Sequence, residues 1–116
     1  MRASRRAILE RLGDVRTAIS AIGEHRKRGH LDDPLVFDAV RMRLVEIGEA
    51  VGTLPAELLA TEPDVPWREV VAMRHKLAHH YYDTAIGILA TTIDEDLPEL
   101  AAAIDRLTRR VEAGDR

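Results

Sequence analysis

The stretch 34-PLVFDAVRMRLVEIGEAVGTL-54 settles the fold class. Val36, Val40, Leu44, Ile47, Val51 and Leu54 recur at steps of three and four, which makes one apolar stripe on a helix. Pro34 suits the first helical turn, and 31-LDDP-34 sets an acidic cap before it. A helix is predicted from Pro34 to about Thr53. Met42 and Val45 fall on its far side, with Asp38 and Glu49. Apolar residues on two sides mark a sandwiched helix. Either a third helix or a second copy of the chain covers that far side.

The same period extends outward. Upstream, about Ser4 to Lys27 carries Ile8, Leu12, Val15, Ile19 and Ile22, with Ser4 as N-cap and Gly29 as stop. Downstream, 54-LPAELLATEPDVP-66 holds three prolines in thirteen residues, enough to limit it to a connector with one short helical turn. Pro66 opens a third helix with Val70, Met73 and Leu77 on its buried stripe. A short apolar run, 84-TAIGILATTI-93, follows. The last helix begins near 94-DEDLP-98 behind an acidic cap, with Leu97, Leu100, Ile104, Leu107 and Val111 inward. No alternating strand pattern, repeat or low-complexity tract interrupts the series. An all-α antiparallel bundle of four to five helices is predicted.

The 116 residues fit a single domain spanning 1–116. With 46% apolar and 32% charged residues but only 3% aromatics, composition favours helices over a sheet sandwich. The chain has no cysteine, which excludes disulfides and thiolate metal sites. No run approaches the roughly 20 apolar residues of a membrane span, and the N-terminus lacks a secretory pattern, so a cytoplasmic location is expected. A net charge of −3 argues against nonspecific coating of nucleic acid. Local basic clusters at Arg2, Arg5, Arg6 and 25-HRKRGH-30 leave a small phosphate site open.

The densest polar chemistry lies in 73-MRHKLAHHYYD-83. His75 and His79 share a helical face as in H-E-x-x-H zinc sites, but Lys76 stands where the glutamate base belongs. No metal is expected. Arginine offers phosphate a bidentate fork, and histidine moves protons near neutral pH. RNA carries its own nucleophile in the 2′-hydroxyl, so this set suits metal-free cleavage. Polar residues around a helix terminus explain the same letters without any site. On a straight helix His79 lies about 140° around from Arg74 and roughly 7.5 Å along, while Tyr81 falls above Arg74 and Tyr82 near His75. Arg74 and His79 therefore meet on one group only if the helix breaks near His79 or a second chain contributes.

Arg74-His75-Lys76-Leu77-Ala78-His79 resembles the R-x-x-x-x-H motif of HEPN domains, and its continuation to Tyr81 resembles the R-x-x-x-x-H-x-Y of the HepT branch. The blocks 47-IGEA-50, 66-PW-67 and 96-DLPEL-100 agree, so the likeness covers about Asp38 to Leu107. It implies a HEPN-like helical bundle, dimeric, acting as a metal-independent endoribonuclease toxin without cofactor. It also implies a cognate minimal nucleotidyltransferase antitoxin that silences the toxin by AMP transfer. Carried onto this chain, Arg74 and His79 form the catalytic pair, His75 positions Arg74 or the RNA substrate, and Tyr81 accepts AMP. Two motifs facing one cleft in a homodimer would answer the 140° separation. A second function class is a non-catalytic helical subunit that binds and regulates a nucleotidyltransferase; the presence of Arg74, His79 and Tyr81 together favours the enzyme. A third is a bundle with no site. Glu49 is either a partner for Arg74 or a solvated carboxylate. Trp67 is expected to pack rather than to stack on a base.

Overall fold

The computed structural model describes residues 3–79 and 86–114, and the side chain of His79 is not described. Among the described residues every regular element is helical: α1 Arg5–Arg28, α2 Pro34–Val51, α3 Ala56–Leu59, α4 Trp67–His79, α5 Ile86–Thr91 and α6 Leu97–Glu112. Caps set the boundaries as the sequence suggests. The Ser4 hydroxyl accepts from the Ala7 amide, and the Asp33 carboxylate accepts from the Leu35 amide ahead of Pro34. The basic run His25–Arg28 closes α1, where the helix dipole favours cations.

The core is built by α1, α2 and α6. Ile8, Leu12, Val15 and Ile22 of α1 meet the whole Val36–Val51 stripe of α2 and Leu97, Leu100, Ile104, Leu107 and Val111 of α6. Two polar contacts fix α1 antiparallel to α6. Arg5 Nε donates to the Val111 carbonyl at 3.0 Å, and Arg16 pairs with Asp105. Ala18 is buried in α1 where Ile19 is only half-buried, so the inward face is turned slightly from the predicted one.

The predicted cap before α6 is not formed. Asp96 is helical and its side chain makes no cap bond. Instead α5 continues into α6 through a π-helical turn, Thr92–Asp96, in which the Leu97 amide donates five residues back to Thr92. The reason lies in Pro98: a proline lacks the donor and clashes with the carbonyl four residues before it. Widening the turn keeps the chain helical across that position. No helix among the described residues is long and apolar enough to cross a membrane.

Candidate functional site

α4 carries the motif and sits at the edge of the bundle. Of its apolar stripe only Leu77 is buried; Val70 and Met73 are half-buried, contrary to the expected continuous inward face. The cause is an open groove of about 670 Å³ between α4 and the α5–α6 arm, bordered by Val70, Met73, Leu77, Leu89, Leu97 and Leu100. α4 leans mainly on α2.

Three features hold it there. At its start, the Trp67 indole N–H donates to the carbonyls of Leu59 (2.9 Å) and Glu62 (3.0 Å). The Glu62 carboxylate in turn accepts from Arg106 Nε and Nη2 at 2.9 and 2.7 Å, and this bonding holds the carboxyl below its ordinary pKa. Trp67 thus packs and anchors, as its letter suggests. At the middle, α2 and α4 touch backbone to backbone. A Cβ on Gly48 would lie 2.9 Å from the Val70 carbonyl oxygen, 3.1 Å from the Arg74 nitrogen and 3.2 Å from the Arg74 Cβ. At the far end, Arg41 Nη1 donates to the Leu77 carbonyl at 2.9 Å. These contacts make α4 antiparallel to α2.

α4 therefore covers part of the far side of α2. α4 crosses at Gly48, and half-buried Val45 packs against the core; Met42 remains 42% exposed beside exposed Asp38 and Glu49. No ion pair joins Glu49 to Arg74 among the described residues. Arg74, His75 and Lys76 are all exposed, so three basic-type side chains reach solvent where α4 leaves Gly48. His79 is the last residue of α4, and Tyr81 lies outside the described residues. Because α4 runs unbroken from Trp67 to His79, Arg74 and His79 are backbone positions of one helix, about 140° apart around its axis. The structure does not bring the two to one side of the helix. Among the described residues no three His, Asp or Glu side chains are grouped to hold a metal ion.

The sequence reading missed two contributors. Gly48 was visible only as part of a block, and its role is to let two backbones approach. Arg41 was not singled out. Its spacing of seven from Gly48, which puts both on one face of α2, was the available signal.

Comparison with known proteins adds a family. The model of the family described as "Ribonuclease HepT-like" matches residues 8–107, which includes all of α4. The "Probable ribonuclease HepT" of Thermococcus cleftensis is 30% identical over 102 residues, covering 84% of this chain and 93% of that protein. The "Putative RNase TTE0752" of Caldanaerobacter subterraneus subsp. tengcongensis is 36% identical over 78 residues, covering 67% of this chain and 70% of its own length. No solved structure matches the chain.

Proposed function

Since this chain belongs to the ribonuclease HepT-like family, we propose that it is a metal-independent endoribonuclease acting at a cleft between two copies of itself. The observation that carries the reading is the family match across 8–107, with the motif arginine reaching solvent on the matched helix. Arg74 binds the scissile phosphate and the charge that develops on it. His79 is the general acid or base. The RNA 2′-hydroxyl loses its proton and attacks the adjacent phosphorus, and the 5′-oxygen leaves with a proton. The products are a 2′,3′-cyclic phosphate and a 5′-hydroxyl. His75 positions Arg74 or the RNA.

The course of α4 supports a homodimer. With no break before His79, the two positions lie about 140° apart around the α4 axis, and a second copy across a two-fold axis supplies the complement. The exposed Met42 on α2 agrees with an apolar surface left for that copy. In this reading the partner is a minimal nucleotidyltransferase antitoxin that transfers AMP to Tyr81. On the spacing of a continued helix, Tyr81 falls above Arg74, so AMP there competes with RNA for the same cation. The pair is then a toxin–antitoxin system.

The test is cleavage of RNA by purified protein in EDTA. Arg74→Ala and His79→Ala, both folded, should each lose roughly 10²-fold or more of the rate. Wild-type rates in both variants sink the assignment. Co-expression with the partner should add AMP masses that Tyr81→Phe removes.

A further inference from the structure

Trp67, Val70, Val71 and Met73 pack half-buried against the core along the first turns of α4, and among its described residues Leu77 is the last apolar side chain buried before the helix ends. Apolar contact is also non-directional, so it resists sliding and rotation weakly. A polar contact from α2 supplies direction. Arg41 stands seven residues before Gly48, on the face of α2 that meets α4. Its side chain is only 16% exposed, its Nη1 reaches the Leu77 carbonyl at 2.9 Å, and its Nε lies 4.0 Å from Asp38 on its own helix. A guanidinium is a planar, rigid fork, so its bond constrains the orientation of the acceptor as well as its distance. Leu77 lies in the last turn of α4, where a carbonyl has no partner within the helix, so the guanidinium meets an acceptor that the helix itself leaves open. The positive charge also suits the C-terminal end of a helix dipole. Leu77 is three residues after Arg74 and two before His79. The peptide that Arg41 grips thus lies between the two members of the proposed pair.

We propose that Arg41 is a positioning residue for the Arg74–His79 pair, pinning the last turn of α4 through the Leu77 carbonyl. This rests on the nuclease reading of α4. The grip fixes how far α4 rotates and slides on α2, with Gly48 as the close contact at the other end. Truncating it leaves the RNA-facing side chains in place chemically but lets their helix drift.

Arg41→Met removes the bond and keeps most of the bulk; Arg41→Lys keeps a cation and a donor. In single-turnover cleavage of RNA, Arg41→Met should lose about tenfold or more in kcat, given that a 1 Å misplacement costs on the order of 10²-fold. KM should stay within about twofold, and Arg41→Lys should recover most of the loss. A merely space-filling role predicts the reverse order, with Met the better substitute than Lys. Hydrogen exchange of the peptide spanning Arg74–His79 reads the pinning independently of activity and should be several-fold faster in Arg41→Met. Unchanged exchange and unchanged kcat in an active protein overturn the role of Arg41. A folded wild type that cleaves no RNA overturns the nuclease reading instead.

Discussion

Gly48→Ala is the substitution that most sharply tests how α4 is placed. The added Cβ would meet the Val70 oxygen at 2.9 Å and two Arg74 atoms at 3.1 and 3.2 Å, whereas ordinary contact begins near 3.4 Å. Relief therefore requires α4 to retreat by about half an ångström. Two of the three atoms are backbone, so no side-chain rotation removes the clash. Overpacking of this kind costs about 1–3 kcal/mol, against a gain of about 1 kcal/mol from replacing a helical glycine with alanine. Net destabilisation of about 0–2 kcal/mol is the result. Activity should suffer more than stability. If 1 Å costs on the order of 10²-fold, half that displacement costs about tenfold in kcat. Urea denaturation gives the first quantity and single-turnover RNA cleavage the second. A Gly48→Ala protein that is about 1 kcal/mol more stable and fully active would refute the close contact and the placement built on it.

Other outcomes follow from the same structure. Gly13 lies in α1 with nothing within 4 Å of the place an added Cβ would take, so Gly13→Ala should stabilise by about 0.5–1 kcal/mol in the same denaturation assay. Glu62→Gln tests the latch to Arg106. The Glu62 pKa is lowered in the folded protein by its bond to Arg106, so its contribution is present above the unfolded carboxylate value and fades as pH falls through the folded one. The variant should be less stable than wild type near pH 7, and the two should converge in acid. Trp67→Phe removes the indole donor to Leu59 and Glu62 and should cost about 0.5–1.5 kcal/mol by thermal or urea unfolding, since both carbonyls keep a backbone amide donor.

The scaffold was legible because its apolar periods are long and repeated. The stripe of α2 is buried throughout, as is that of α6, and the one-turn helix Ala56–Leu59 falls inside the proline-rich connector. What escaped depends on relations between elements. Val70 and Met73 have the period of a core face, yet the α5–α6 arm stands off and leaves them half-buried. The 94-DEDLP-98 letters look like a cap, but a π turn carries the helix past Pro98. Gly48 and Arg41 act on a helix some thirty residues away in sequence, and no local rule weighs that distance. The motif itself was readable as chemistry and as a resemblance. The spacing posed the 140° question, and α4 is continuous from Arg74 to its last residue, His79.

If Arg74 and His79 cut RNA without a metal, as proposed, the ends they leave on the RNA identify the chemistry. End-group analysis of RNA incubated with the purified, unmodified protein in EDTA reads them. Fragments should end in 2′,3′-cyclic phosphate and 5′-hydroxyl, and should be absent with Arg74→Ala and with His79→Ala. Intact RNA with the folded wild type, or the same fragments from both variants at the wild-type rate, would contradict it.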